Sequence, residues 1–152
     1  MTIYYTDGSC SPNPGPGGFA VIKNGQPHIV GSADESTNIR MEGCALIEAM
    51  KDAAGAPVEI FTDSEFWINV ITKWAPGWAA KGWVKKGGEI KNLDLVKEAY
   101  ELYGASHARL IWTRGHVGTE LNELADTWAN KAREQKLSGR IAELQGGESR
   151  TN

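Results

Sequence analysis

Two aspartates that follow predicted strands could together hold a cation. Asp7 ends a β-rich run that starts at Ile3, and Asp63 follows an apolar run that starts at Val58. If these strands are parallel neighbours, about 4.8 Å apart, both carboxylates project from the sheet edge where α/β proteins place ligands. Two carboxylates this close repel each other and favour a shared counter-ion. Taken singly, Asp7 before a glycine fits a turn, and Asp63 before a helix fits a helix-start position.

Two more carboxylates are predicted on helices that pack against the sheet. Glu42 shares a helical face with Ala45 and Ala49, and Asp126 lies beside Ala125 on the last predicted helix. Taken alone, Glu42 fits stabilisation of the helix dipole, worth about 0.3–1 kcal/mol, and Asp126 fits a surface acid. Four carboxylates without a cysteine or histidine cluster favour Mg²⁺ or Mn²⁺ over zinc. Paired ions held in this way carry out phosphoryl chemistry.

A histidine precedes the last predicted helix. His116 lies in the sequence Gly115-His116-Val117-Gly118, whose glycines predict a mobile loop. Such a loop can bring the imidazole to a site and withdraw it, and histidine exchanges protons near neutral pH. The alternative interpretation is a structural histidine whose ring nitrogens are hydrogen-bonded to neighbours.

The segment from Lys73 to Lys91 is strongly basic. It contains five lysines and one acid, so it carries +4 while the rest of the chain carries −7. Lysines can hold phosphates while indole rings pack against sugars or bases, which predicts a contact with nucleic acid. The alternative is a solvated lysine-rich loop. The residues assigned to this tryptophan–lysine ridge are Trp74, Trp78, Lys81, Trp83, Lys85 and Lys86.

These residues are positioned by a predicted order of three strands, a helix, a strand, two helices, a strand and a last helix. A Gly- and Pro-rich loop is predicted between the first two strands, and a hairpin turn at Asn24-Gly25. The predicted strands are Ile3–Asp7, Phe19–Lys23, His28–Gly31, Val58–Thr62 and Arg109–Thr113. Four helices are predicted. The first spans Thr37–Ala54, and the second is capped by Ser64 and runs through Trp74. The third spans Leu93–Tyr103, and the fourth runs from Glu120 to about Lys136. The order indicates an α/β fold with a mixed sheet and helices on both faces.

Length and composition favour one ordinary globular domain. The chain has 152 residues, of which 41% are hydrophobic and 23% charged. We expect the packed domain to cover residues 1–137 and residues 138–152 to form a flexible tail. No signal-peptide pattern or membrane span is apparent, and two cysteines without metal-ligand spacing suit a reducing cytoplasm.

Several separated motifs together resemble one enzyme family. They occur in the same order as in ribonuclease H type 1, and the pattern is most similar to that of the bacterial enzymes. The resemblance spans Ile3 to Ala132. The motifs are Thr6-Asp7-Gly8-Ser9, Asn13-Pro14-Gly15-Pro16-Gly17-Gly18, Thr37-Asn38 with Arg40-Met41-Glu42, Thr62-Asp63-Ser64, and Arg114-Gly115-His116 through Asn122-Glu123 to Asp126.

The resemblance implies a five-stranded mixed sheet, with three antiparallel strands and then two parallel ones, and a catalytic domain over residues 1–137. It implies a monomeric, Mg²⁺-dependent endonuclease that cuts the RNA strand of RNA/DNA hybrids with two metal ions, leaving 5′-phosphate and 3′-hydroxyl ends. Mn²⁺ is a possible substitute for Mg²⁺. The implied metal ligands are Asp7, Glu42, Asp63 and Asp126.

Other implied roles concern the proton and the substrate. His116 matches the mobile catalytic histidine, and Asn13 and Asn38 match residues that contact the hybrid. Thr37 matches a residue in a pocket that holds a DNA phosphate, and the tryptophan–lysine ridge matches the family's basic protrusion. Two positions depart from the family pattern: Ile39 stands where an amide is usual, and Glu65 stands where bacterial members carry glutamine.

Two rival functions predict different behaviour. A hybrid-binding module without a metal would keep the ridge but would not need four converging acids. A transposase-like or integrase-like enzyme would share the sheet and the acids but would join DNA strands. Cleavage that depends on Mg²⁺ and spares an all-DNA duplex distinguishes the predicted nuclease from both.

Overall fold

The computed structural model describes residues 1–114 and 120–144. His116 and residues 145–152 therefore lie outside the described residues. The strands are β1 Thr2–Cys10, β2 Gly15–Lys23, β3 Gln26–Ser36, β4 Pro57–Thr62, β5 His107–Trp112 and β6 Gly139–Arg140. The α-helices are α1 Asn38–Ala53, α2 Glu65–Asn69, α3 Ala75–Ala80, α4 Leu93–Gly104 and α5 Glu120–Gln135.

All six described strands form one mixed sheet in the order β5-β4-β1-β2-β3-β6. The β1–β2 and β2–β3 pairs are antiparallel, while β1–β4 and β4–β5 are parallel. The predicted antiparallel start and parallel continuation are therefore confirmed. The predicted count of five strands is corrected to six, because β6 pairs antiparallel with β3 at the sheet edge.

The segment after α5 also differs from the expected flexible tail. Arg140 pairs with Ile29 in the sheet, and Ile141 is buried among Ala20, Val30 and Ala129. The described part of the tail, up to residue 144, is thus anchored to the domain. A two-residue strand has too few positions to show alternation, so its pairing could not be read from the sequence.

Several boundaries differ from the sequence-based expectation. Strand β1 continues beyond its predicted end at Asp7 to Cys10, and β3 spans Gln26–Ser36 instead of His28–Gly31. Strand β2 begins at Gly15, inside the predicted loop, because Gly17 and Gly18 pair with the end of β1 through their backbones. The helix that begins after Ser64 continues to Ala80 through a π-helical turn, Val70–Trp74. The predicted cap at Ser64 is confirmed, because its hydroxyl accepts a hydrogen bond from the Trp67 N–H at 3.2 Å.

Helices cover both faces of the sheet. On one face, α1, α4 and the segment that includes α2 enclose the main core, whose largest fully buried side chain is Trp67. The Trp67 indole N–H donates to the Ile39 carbonyl at 2.7 Å, which fixes the start of α1 against this core. On the other face, α5 packs through Ala129 and Ala132. No helix among the described residues has the length and apolar character needed to cross a membrane.

A nearly buried carboxylate ties the end of α1 to the sheet. Asp52 accepts hydrogen bonds from the Tyr4 hydroxyl at 2.6 Å and pairs with Lys23 at 3.0 Å and His28 at 2.8 Å. Burial raises the pKa of Asp52, but the hydrogen bonds from these neighbours outweigh burial and hold the pKa well below its ordinary value. Asp52 therefore remains ionised, and we assign it a structural role.

Candidate active site

The first two acids of the site are positioned by adjacent parallel strands, Asp7 within β1 and Asp63 directly after β4. Strands β1 and β4 pair in register as far as Tyr5 and Phe61, and Asp7 and Asp63 each come two residues later in the chain. The prediction that these two strands are parallel neighbours is confirmed. Asp7 is buried, with 8% of its surface exposed, and its carboxylate accepts a hydrogen bond from the Gly8 N–H at 2.9 Å.

Gly8 allows α1 to bring Glu42 to this edge. A Cβ atom on Gly8 would lie 2.4 Å from the backbone nitrogen of Glu42 and 2.4 Å from the carbonyl carbon of Met41. No side chain fits at that distance, so only glycine permits the helix to lie this close to β1. Gly8 belongs to the motif Thr6-Asp7-Gly8-Ser9, but the sequence alone did not show that this glycine lets α1 approach β1.

Gly18 allows a similarly close approach of a helix, α5, on the opposite face of the sheet. A Cβ atom there would lie 2.3 Å from the carbonyl oxygen of Ala129 in α5. Helix α5 can therefore approach β1 and β2 closely, and this approach brings Asp126 into electrostatic contact with Asp7. Successive strand residues point to opposite faces, so Gly8 faces α1 while Asp7 and Ser9 face α5.

Burial and neighbouring charges oppose the ionisation of two of these acids, Asp7 and Glu42. The pKa of Asp7 is raised from its ordinary 3.8 to about 8, first by burial and then by the negative charges of Asp63 and Asp126. Burial likewise raises the pKa of Glu42 to about 7, with a contribution from Asp63, while a hydrogen bond with the Ser64 side chain opposes the shift. The site therefore accumulates negative charge that a proton or a cation would relieve.

The acids interact in pairs. Asp7 interacts with Asp63 and Asp126, and Glu42 interacts with Asp63. Within residues 1–114 and 120–144, no three His, Cys, Asp or Glu side chains form a ready set of ligands for one metal ion. The donor atoms are all carboxylate oxygens, which is the chemistry that hard divalent cations prefer.

Three residues predicted to contact substrate lie together at the start of α1. The Asn38 side-chain oxygen accepts a hydrogen bond from the Cys10 N–H at 2.6 Å, and the Asn13 side-chain oxygen accepts one from the Asn38 N–H at 3.1 Å. The Thr37 hydroxyl caps the helix by accepting from the Arg40 N–H at 3.1 Å. These contacts hold the loop after β1 against the helix that carries Glu42.

The tryptophans of the ridge are not equally exposed. Trp74 is 45% exposed, with its ring centroid 6.4 Å from that of the half-buried Trp78. Trp83 packs edge-on against Tyr100 of α4 with ring centroids 5.6 Å apart, and the Lys97 ammonium lies over its ring. Helix α4 thus covers part of Trp83, whereas Trp74 remains exposed. Lys81 and Lys86 are exposed, and Lys85 is half-buried.

A groove of about 510 Å³ separates the ridge from the start of α1. Its wall includes the exposed apolar side chains of Ile39, Phe66 and Trp74, and its rim includes Lys85 and Lys91. Ile39, one of the two residues that depart from the family pattern, thus makes this wall more apolar than an amide would. The second, Glu65, is exposed at the start of α2.

An ion pair between α1 and α4 was not predicted. Arg40 donates to both carboxylate oxygens of Asp94, at 3.1 and 2.8 Å, and to the Asn92 side-chain oxygen at 3.2 Å. It connects the start of α1 to the start of α4. Because the partners are 52 and 54 residues from Arg40, no local sequence pattern indicates the contact.

Comparison with known proteins decides the family. Residues 1–134 match the RNase H family. The chain belongs to the ribonuclease H family. The predicted family is thereby confirmed, and the chain is a hydrolase of the nuclease class.

Individual relatives agree with this assignment. The chain is 41% identical over 145 residues to "Ribonuclease H" of Methylorubrum extorquens (strain PA1), which covers 93% of this chain and 64% of that protein. It is 43% identical over 140 residues to "Ribonuclease H" of Polynucleobacter asymbioticus, covering 89% of this chain and 91% of the relative. The structure of LC9-RNase H1, a type 1 RNase H with the type 2 active-site motif, superposes with a TM-score of 0.78 and 28% identity, covering 92% of this chain and 74% of the other.

Proposed function

We propose that this ribonuclease H hydrolyses the RNA strand of RNA/DNA hybrids with the help of divalent metal ions. The observation that supports this most strongly is the series of electrostatic contacts that links Glu42 to Asp63, Asp63 to Asp7 and Asp7 to Asp126. A hybrid-binding module that uses no metal would not need acids that repel each other. Metal-dependent phosphoryl transfer does need them, because they hold the cations at the reacting phosphate.

The proposed metal ligands are Asp7, Glu42, Asp63 and Asp126. Their oxygens suit two Mg²⁺ ions, with Mn²⁺ as a possible substitute, because both are hard cations. When bound, such ions would lower the pKa of a water molecule and would stabilise the leaving 3′ oxygen, and this reaction would leave 5′-phosphate and 3′-hydroxyl ends. The raised pKa values of Asp7 and Glu42 mean that metal binding must displace protons, so binding strengthens as the pH rises.

The remaining residues hold the substrate and move a proton. Asn13, Thr37 and Asn38 are proposed to contact the hybrid beside the carboxylates, and the ridge is proposed to contact the phosphate backbone through Lys81, Lys85 and Lys86. The indoles of Trp74, Trp78 and Trp83 would supply apolar contact to sugars and bases. His116 is proposed to accept or donate a proton at the reacting oxygen.

Selection of the RNA strand follows from its 2′-hydroxyls. These groups line the wide minor groove of an RNA-containing duplex and are absent from DNA. Contacts to the backbone and minor groove carry little sequence information, so cleavage should be largely independent of sequence. We further propose that the protein acts as a monomer in the cytoplasm, where its free cysteines, Cys10 and Cys44, would stay reduced.

The test is cleavage of three duplexes of one sequence: an RNA/DNA hybrid, an all-DNA duplex and an all-RNA duplex. With Mg²⁺ we expect cleavage of the RNA strand of the hybrid only, and none with EDTA. Binding of the hybrid without any cleavage would support the hybrid-binding module instead. Cutting or joining of the all-DNA duplex would support the transposase-like alternative.

A further inference from the structure

A hydrogen-bonded chain links Asp126 to β1 and to the end of α5. Asn130, one helical turn after Asp126, donates through Nδ2 to the Asp126 Oδ2 atom at 3.4 Å. Its Oδ1 atom accepts from the Ser9 hydroxyl at 3.0 Å and from the Arg133 Nη1 at 2.7 Å. Arg133 Nη1 also donates to the Ser9 hydroxyl at 2.8 Å, so three side chains close a small cycle.

Arg133 determines which way the Asn130 amide points. A guanidinium group can only donate hydrogen bonds, so the amide atom that faces Arg133 must be the oxygen. The NH₂ group of Asn130 is consequently turned toward Asp126. The amide orientation, which in many proteins is a matter of assignment, is here fixed by the chemistry of its neighbour.

The residue spacings along β1 and along α5 make this link possible. Asp7 and Ser9 are two residues apart on one face of β1, a spacing of about 6.6 Å. Asp126 and Asn130 are four residues apart on α5, a rise of about 6.0 Å. Because the two spacings nearly match, Asp7 meets Asp126 while Ser9 meets Asn130, and the pairs run side by side across the two elements.

We propose that Asn130 is a positioning residue that orients the Asp126 carboxylate for metal binding. Its N–H donates to Oδ2 of the same carboxylate that interacts with Asp7. The Asn130 amide also lies between the Arg133 guanidinium and the Asp126 carboxylate. A direct ion pair between Arg133 and Asp126 would compete with a cation. This inference rests on the proposed function, because it concerns how one of the proposed ligands is held.

The deciding variant is Asn130→Asp. It retains an oxygen that accepts from Ser9 and Arg133, so the contact between β1 and α5 should survive, but it removes the donor to Asp126. Groups that orient metal ligands typically contribute about 10- to 100-fold to affinity or activity. We therefore expect kcat at saturating Mg²⁺ to fall about 10-fold or more, with the KM for hybrid changed less than about 3-fold.

A second measurement does not depend on turnover. Mg²⁺ is titrated into metal-free protein while the ¹³C resonance of the Asp126 side-chain carboxyl is followed by NMR. The wild type should show a saturable shift of this resonance. In Asn130→Asp the shift should be lost or should require several-fold more Mg²⁺.

Two control variants separate positioning from charge and from structure. Thr127→Asp adds the same negative charge at an exposed neighbouring position and should keep kcat within about 2-fold of the wild type. Ser9→Ala weakens the contact between β1 and α5; it should lower the unfolding temperature while reducing kcat much less than Asn130→Asp does. Thermal unfolding of Asn130→Asp should stay close to that of the wild type.

The outcomes distinguish this inference from the proposed function. If the wild type cleaves hybrid and Asn130→Asp matches it in kcat and in the Mg²⁺ titration, the positioning role is wrong and the function stands. A loss of kcat in Ser9→Ala as large as in Asn130→Asp would also contradict the positioning role, because it would make the effect structural. If the wild type neither cleaves hybrid nor shows a Mg²⁺-dependent shift, the proposed function itself fails.

Discussion

At the scale of single residues, the surroundings of Asp7 oppose its ionisation. The carboxylate is buried beside two other acids, and its pKa rises to about 8. The same environment that opposes ionisation in the metal-free protein is the one that a divalent cation would neutralise. Function and stability therefore make opposite demands on this residue.

The first prediction concerns the pH dependence of the metal-free protein. Asp7 and Glu42 hold protons in the folded state up to about pH 8 and pH 7, whereas in the unfolded chain they release them near their ordinary values of 3.8 and 4.5. The folded state binds more protons in this window, so the free energy of unfolding should fall as the pH rises from about 4 to about 8. Denaturant unfolding in EDTA across this range measures the slope.

The matched variant is Asp7→Asn. Asparagine does not titrate, so most of the slope should disappear, and the metal-free variant should be at least as stable as the wild type at pH 8. The same variant should not cleave hybrid. An unchanged slope would mean that Asp7 ionises freely, and near-normal cleavage would remove Asp7 from the proposed metal ligands.

The second prediction concerns His116. Replacement by alanine removes a group proposed to transfer a proton, so turnover should slow by roughly 10- to 10⁴-fold. The residue is not a proposed ligand, so Mg²⁺ binding measured by calorimetry should change little. A variant that lost Mg²⁺ binding together with turnover would indicate that His116 holds the metal instead.

At the scale of elements, the site depends on how closely two helices approach the sheet. Gly8 and Gly18 allow α1 and α5 to contact β1 and β2 through their backbones. The four acids come from elements that lie far apart in the sequence. Their meeting is therefore a consequence of packing, and a change at the packing glycines should affect the acids without altering any of them.

The third prediction follows from Gly8. A methyl group at this position would lie 2.4 Å from backbone atoms of α1, so Gly8→Ala must displace the helix that carries Glu42. We expect a loss of about 1–3 kcal/mol in the free energy of unfolding together with a lower kcat. Gly104→Ala is the control, because no atom lies within 4 Å of its Cβ position and its backbone is compatible with alanine. Equal stability of the two variants would contradict the packing argument.

Local sequence patterns predicted most strands and helices but few of the tertiary contacts between them. The end of β4 before Asp63 and the parallel pairing of β1 with β4 were inferred correctly, whereas β1 continues three residues beyond its predicted end at Asp7. Strand β6 and the contact of Ile141 with the core were missed, because a short edge strand has no alternation to detect. Asn130 was missed for a different reason. Its partner Ser9 is 121 residues away, so only the packing of α5 reveals it.

At the scale of the whole molecule, charge is unevenly distributed. A chain with a net charge of −3 carries a local excess of +4 between Lys73 and Lys91. The acids of the site and the lysines of the ridge occupy different regions, so the proposed contacts with cations and with phosphates would not compete for one surface. The net charge alone would have argued against a polyanionic substrate.

The fourth prediction tests the ridge. Replacing Lys81, Lys85 and Lys86 by alanine should weaken hybrid binding and flatten the dependence of log affinity on log salt concentration. Each lost phosphate contact should reduce the slope by roughly 0.7–0.9. These contacts act equally on substrate and transition state, so KM should rise while kcat changes little. A slope identical to that of the wild type would show that the lysines are only solvated.

The central claim is that the carboxylates of β1, β4, α1 and α5 form the divalent metal site of this ribonuclease H. Anomalous scattering from a crystal of the protein grown with Mn²⁺ and a hybrid tests it most directly. The account predicts Mn²⁺ peaks within about 2.0–2.3 Å of carboxylate oxygens of Asp7 and Asp63, a separation typical of hard divalent cations. Strong Mn²⁺ peaks elsewhere, with none beside Asp7, in protein that cleaves the hybrid would contradict it.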